Sequence, residues 1–153
     1  MTTPMDTIEP MVRQSQINVP YTWWAGDTAG RFLKALRDEQ TILGTRCDRC
    51  GRVFVPPRKT CPACFTGNET WIPVSSVGTV VAFSVARRQL AAIKGAVPVI
   101  FALVRLDGAD TALLHTIAAT EPDQVSIGMR VRACFSDQAG ATIKAISHFE
   151  PVE

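Results

Sequence analysis

The segment Arg46 to Phe65, RCDRCGRVFVPPRKTCPACF, constrains this chain more than any other, because four of the five cysteines in its 153 residues fall inside it. They form two Cys-x-x-Cys pairs, Cys47/Cys50 and Cys61/Cys64, with ten residues between the pairs. In the first pair Gly51 follows the second cysteine, a place where a positive φ is often needed. In the second, Pro62 follows the first cysteine and fixes the turn in advance. Two such knuckles supply four sulfurs, the tetrahedral shell of a closed zinc site. Iron held by four thiolates suits the same geometry. Four ligands from the chain leave no position open for water or substrate, so the centre is expected to be structural rather than catalytic. The separation is shorter than the commonest template of roughly 15–20 residues, yet GRVFVPPRKT is long enough for a minimal hairpin. A pair of redox dithiols is the alternative, and no thioredoxin-like pattern supports it.

The first residues, MTTPMDTIEPMVRQSQ, do not read as a secretory signal, and no apolar run reaches the roughly 18 residues that span a bilayer. A cytoplasmic location is expected, where paired cysteines favour metal over disulfide. The formal charge is +2 with cysteines as neutral thiols. Four thiolates on one divalent ion make a dianionic centre and bring the chain close to neutral, so bulk charge points to no polyanionic partner. The charge is uneven, however. Between Arg31 and Thr60 eight basic residues (Arg31, Lys34, Arg37, Arg46, Arg49, Arg52, Arg58, Lys59) face three acidic ones.

Organisation along the chain suggests an arm and helix over residues 1–40, a metal ribbon over 41–74 and a β domain over 75–153. Asp27 or Thr28 can cap a helix with Phe32, Leu33, Ala35 and Leu36 as its apolar stripe. Trp23 and Trp24 precede it, and either pack the helix onto the body or anchor a partner. TILGTRC is a short strand into the first knuckle. In VGTVVAFSVA, Val77, Thr79, Val81, Phe83 and Val85 are expected to share one face. VPVIFALVRLD, the turn DGAD and TALLHTIAA make a hairpin. ATEPDQVSIG suits one helical turn with Thr120 as cap and Pro122 early in it. MRVRACFS alternates, with Met129, Val131, Ala133 and Phe135 inward, and ATIKAISHF is the last strand. Five strands with a helical turn between the third and fourth match an OB barrel; a small β-sandwich or a differently closed barrel is the rival. The fold class is therefore mainly β with an N-terminal helix.

No catalytic constellation emerges from the spacing. Cys134 can be drawn as a nucleophile with His115 or His148, its pKa lowered by neighbouring cations, but no third orienting group sits at a telling interval. Nucleic-acid binding suits a zinc ribbon with an OB barrel. Residues 97–118, however, hold only Arg105 as a cation and Phe101 as an aromatic, too little for a stacking groove.

The succession of an N-terminal helix, RCDRCGRVFVPPRKTCPAC, GTVVAFSV, ALVRLDG and IGMRVRACF resembles the acyl-CoA-associated family that joins a rubredoxin-like zinc ribbon to a five-stranded OB fold, labelled DUF35. The likeness runs over nearly the whole chain from about Trp23. It implies a non-catalytic accessory subunit, or fused domain, of a thiolase-superfamily enzyme, with structural Zn2+ on Cys47, Cys50, Cys61 and Cys64. The thiolase-like large subunit would bring the catalytic groups for thiolytic cleavage or Claisen acyl transfer in a hetero-oligomer, such as a heterotetramer. This chain would cover the partner's active-site entrance and help hold coenzyme A. Arg46, Arg49, Arg52, Arg58 and Lys59 suit the phosphates of coenzyme A, and Trp23, Trp24, Arg87 and Arg88 suit the partner. The segment RRQLAAIKGAVP is either a mobile lid or an ordinary exposed loop. Within the family, overall likeness implies an aromatic acyl-CoA, benzoylsuccinyl-CoA of anaerobic toluene degradation being the substrate named.

Overall fold

A computed structural model describes residues 11–89, 96–118, 121–137 and 140–152. Among them the chain forms one α-helix, α1 (Asp27–Asp38), and eight strands: β1 (Ile42–Arg46), β2 (Val53–Phe54), β3 (Thr70–Val74), β4 (Val77–Ala86), β5 (Val99–Leu106), β6 (Leu113–Ile117), β7 (Arg130–Phe135) and β8 (Ile146–Pro151). Short 3-10 turns precede the last two strands, at Pro122–Gln124 and Ile143–Ala145.

The N-cap of helix α1 falls one residue before Asp27 and two before Thr28, the expected caps. Gly26 occupies the N-cap and no side chain bonds the free amides; Asp27 lies in the first turn instead, where its charge meets the positive end of the helix dipole. The stripe behaves as expected, with Phe32, Ala35 and Leu36 buried. The helix packs on β1 and on the second 3-10 turn. Its polar flank is tied as well: the Arg31 guanidinium lies 4.6 Å over the Trp71 ring of β3, and Gln40 Nε2 donates to Asp137 Oδ1 at 2.9 Å.

Strands β2, β1 and β3 form an antiparallel sheet in that order, which is the base of the ribbon. Strands β4, β5, β6, β8 and β7 close into a barrel. The closure comes from one parallel pairing, Ile117 with Phe149, between β6 and β8, and from the antiparallel pairing of β7 with β4. That ring excludes the β-sandwich. With the 3-10 turn between the third and fourth barrel strands, it is the five-stranded OB arrangement. Thr120, expected as the cap of that turn, lies outside the described residues, and Glu121 takes the N-cap in a reciprocal box with Gln124.

The alternation expected for β4 is corrected over its first half. Gly78 and Val80 are the buried residues there, not Val77 and Thr79. Gly78 runs so close to β5 that a Cβ would stand 2.6 Å from the Arg105 carbonyl oxygen. Val80 pairs with Val104 but Ala82 with Leu103, so Val81 is an extra, bulged residue. Past the bulge the phase reverses, and Val85, opposite Ile100, packs on the core. Apolar residues on both sides of the strand hid this slip. In β7 the expected phase holds, with Val131 and Ala133 buried and Arg130 outside. Arg130 forms a two-pronged ion pair with Asp107, one prong 2.7 Å, and also donates to Thr79 Oγ1 at 2.9 Å. The segment that precedes β8 is the second 3-10 turn rather than strand, capped by Thr142.

One hydrophobic core runs through the molecule. Phe32 and Leu36 of the helix, Ile42 and Val55 of the ribbon, and Val80, Val104, Val131, Ile146 and Phe149 of the barrel belong to it. A smaller cluster of Cys47, Phe54, Cys61 and Cys64 lies at the ribbon tip. The turn between β5 and β6 clasps the ribbon. Asp110 N donates to Val53 O at 3.0 Å, Val53 N to Asp110 Oδ2 at 2.8 Å, and Val55 N to Thr111 Oγ1 at 2.8 Å, while Thr111 Oγ1 returns a bond to Val55 O at 2.9 Å. Among the described residues no helix is long and apolar enough to cross a membrane.

Candidate metal centre and its surroundings

The two knuckles repeat one local geometry. Gly51 N bonds Cys47 O at 2.8 Å and Cys47 N bonds Arg52 O at 2.9 Å; Phe65 N bonds Cys61 O and Cys61 N bonds Thr66 O, both at 2.9 Å. Each turn needs a left-handed residue after its second cysteine. Gly51 meets this with φ 73, as expected, whereas in the second knuckle Phe65 does so with φ 56. The four sulfurs lie within 4.8 Å of one another. Cys50 and Cys61 are 3.8 Å apart, the edge of a tetrahedron with metal–sulfur bonds of about 2.3 Å. Cys47 and Cys61 are fully buried, Cys64 half-buried and Cys50 exposed. The backbone of Cys50 and the Thr66 hydroxyl hold the Cys47 thiol down to about 6, while burial and the other sulfurs push Cys64 up to about 12. A site that favours one thiolate yet crowds its fourth sulfur suits a divalent cation, whose charge lets all four ionise.

The segment between the knuckles is anchored from beneath. Thr45, fully buried, accepts from Arg58 N at 2.9 Å and donates to Arg58 O at 3.0 Å. Asn68 Nδ2 donates to the same carbonyl at 3.0 Å, and Asn68 N to Lys59 O at 2.8 Å. This fixes the backbone and sends both cationic side chains outward. The Arg58 guanidinium lies 5.8 Å over the Phe54 ring. Arg46, Arg49, Arg52, Arg58 and Lys59 are all exposed.

Trp23 and Trp24 stand 71% and 78% exposed, so the reading that they pack the helix onto the body is corrected. Trp24 lines a groove of about 400 Å³ with Gly26, Asp27, Pro57 and Lys59, between the start of α1 and the ribbon. Arg87 and Arg88 are exposed at the end of β4. Half of RRQLAAIKGAVP, residues 90–95, lies outside the described residues. On the barrel, a groove of about 550 Å³ is lined by Phe101, Leu114, His115, Ile143, Lys144 and Ser147. It adjoins a smaller apolar one with Phe83 and Leu103. Burial lowers the pKa of His115 below the ordinary histidine value.

Cys134 meets one of the two histidines drawn beside it from the sequence, His148, and a carboxylate that sequence reasoning missed, Glu150. It pairs across the strands with His148, and Glu150 joins them; their ligand atoms all lie within 4.8 Å of one another. The expected lowering of its pKa is corrected: burial and the Glu150 carboxylate raise it, against a weaker opposing effect of Arg132. The spacing of His148 and Glu150 was visible, but only the register of β7 on β8 brings Cys134 to them.

Residues 35–69 match the family model described as ChsH2, rubredoxin-like zinc ribbon domain, and residues 71–136 match ChsH2, C-terminal OB-fold domain. A DUF35 domain-containing scaffold protein of Methanocaldococcus jannaschii is 28% identical over 128 residues, covering 80% of this chain and 90% of the relative. Another of the same description, from Methanothermobacter thermautotrophicus, is 30% identical over 106 residues, covering 69% and 79%. Among solved structures, a chain of the Ltp2-ChsH2(DUF35) aldolase superposes with a TM-score of 0.62 at 24% identity, covering 79% of this chain and 91% of that one. A DUF35 family protein of unknown function from Sulfolobus solfataricus gives 0.61 at 23% identity, covering 82% and 84%. At those identities the structural likeness speaks for the fold.

Proposed function

The chain belongs to the DUF35 family, with a ChsH2-type zinc ribbon followed by an OB fold, and from that premise we propose that it is the accessory subunit of a thiolase-type complex acting on acyl-CoA. Cys47, Cys50, Cys61 and Cys64 hold a structural Zn2+, which has no open position and so takes no part in bond making. The thiolase-like large subunit supplies the nucleophile and the acid–base groups, in a hetero-oligomer. The relatives called scaffold proteins, and the aldolase in which a DUF35 chain is present, support an assembly role.

The observation that carries the reading is the groove shared by Trp24 and Lys59, beside the exposed Arg58. An indole face next to fixed cations offers stacking to an adenine and charge to phosphates, the two recognisable ends of coenzyme A. Asp27 lines the same groove and favours seating the phosphates on the Lys59 side. Arg46, Arg49 and Arg52 extend the basic surface, and Trp23, Arg87 and Arg88 serve the contact with the large subunit. Benzoylsuccinyl-CoA, from overall family resemblance, is the substrate we assign to the complex.

Co-expression with a thiolase-like partner should yield a stable complex with acyl-CoA cleavage absent from either chain alone. Full activity of the large subunit by itself would overturn the proposal. In the complex, Lys59→Glu should raise KM for acyl-CoA about tenfold or more with kcat little changed. An unchanged KM would remove coenzyme A from this surface. Thiolysis of benzoylsuccinyl-CoA against an aliphatic 3-oxoacyl-CoA tests the acyl group, and preference for the aliphatic substrate would refute the aromatic assignment. The nucleic-acid alternative predicts salt-dependent binding to single strands, and the apolar lining of the smaller barrel groove does not favour it.

A further inference from the structure

The outer face of the barrel carries a second set of metal-ligating side chains, far in sequence from the knuckles. Cys134 on β7 stands directly opposite His148 on β8, and Glu150 follows two residues along β8 on the same face. One sulfur, one imidazole nitrogen and one carboxylate oxygen come within 4.8 Å of one another. The antiparallel register of β7 on β8 produces this meeting, and the pairing slips just beyond it. Cys134 pairs with His148 but Phe135 pairs with Ile146, so Ser147 is an extra residue in β8. Such a bulge twists a strand and re-aims its side chains. The bulged Ser147 also holds the ring beside it, its Oγ lying 2.9 Å from His148 Nδ1. A hydroxyl bonded to a ligand imidazole is the kind of outer support that orients metal-binding histidines.

We propose that Cys134, His148 and Glu150 form a second site, for a zinc-class divalent cation. The mixed sulfur, nitrogen and oxygen donors select a borderline metal over magnesium or calcium, which take oxygen alone. Small rotamer changes bring the three atoms to the roughly 3.3–3.8 Å separations of a tetrahedral shell. Cys134 and His148 are half-buried and Glu150 is exposed, so the fourth position faces solvent. This site therefore differs in kind from the ribbon centre: it keeps room for water or an anionic ligand. It also gives Cys134 a role that needs no base to activate it as a nucleophile.

The full-length chain with its ribbon zinc in place is titrated with Co2+ and with Zn2+. A second equivalent should bind, with Co2+ producing sulfur-to-cobalt charge-transfer absorption. Cys134→Ser should abolish that absorption, and His148→Ala should remove the second equivalent while the ribbon metal stays at full content. Zn2+ should slow alkylation of Cys134 by iodoacetamide about tenfold, since a coordinated thiolate is shielded. One equivalent only, a second equivalent that persists in His148→Ala, or alkylation indifferent to Zn2+ would each overturn the proposal. His148→Ala and the alkylation of the unaltered chain keep the test decisive even if Cys134→Ser folds poorly.

Discussion

At Phe65 the backbone takes φ 56 while the ring stands 84% exposed, so the free chain accepts left-handed strain without burying the side chain that causes it. Gly51 solves the same turn in the first knuckle without that cost. Phe65→Gly should therefore leave the isolated chain as stable as before or up to about 1 kcal/mol more stable in denaturant titration. His115 gives the residue-scale dependence on pH. Burial depresses its folded pKa below 6.5, so below that pH the unfolded chain binds more protons than the folded one. Stability should fall as pH is lowered through 6.5 towards the folded value, and be fully present above it. Thermal unfolding between pH 7.5 and 5.5 should show this slope, and His115→Gln should flatten part of it.

The hairpin β5–β6 reaches the ribbon through Thr111, whose hydroxyl satisfies both the N–H and the C=O of the fully buried Val55. Thr111→Val leaves both groups without that partner and should cost about 2 kcal/mol. Hydrogen exchange should show the Val55 amide losing protection before the strands of the barrel do. This contact also marks what local pattern can and cannot convey. Knuckle spacing, the alternation of β7 and the order of the barrel strands are written in short stretches, and they were legible. The bulge at Val81 and the register of β7 on β8 are fixed by the partner strand, so the phase of early β4 was misread and Glu150 was missed beside Cys134. Asp27 offered a good capping side chain, yet Gly26 takes the N-cap and Asp27 contributes only its charge in the first turn. The exposed tryptophans were ambiguous for a related reason, because an indole pair reads alike whether its partner is within the chain or outside it.

Across the whole molecule, two cohesive regions of unequal size coexist. The large core takes in the helix, the ribbon base and the barrel, whereas the apolar cluster at the ribbon tip is only Phe54 and the cysteines among the described residues. Chelation of the ribbon metal should therefore free the knuckles without melting the molecule. Amide protection should vanish in the two knuckles, at Cys47, Gly51, Cys61 and Phe65, while persisting at Val55 and in β5 and β7. Collapse of barrel protection at the same chelator concentration would show that the tip is coupled to the rest. Under the proposed function, loss of the tip should also release the large subunit, because the basic surface hangs on it. The clasp between Val53, Val55, Asp110 and Thr111 has a consequence for anyone recombining relatives of this chain. The ribbon and the barrel are successive in sequence but not interchangeable parts, since the ribbon's edge is completed by a loop encoded more than fifty residues later. A chimaera spliced at the boundary between them would separate a lock from its key, and would need residues 107–111 to travel with the ribbon they were shaped to close.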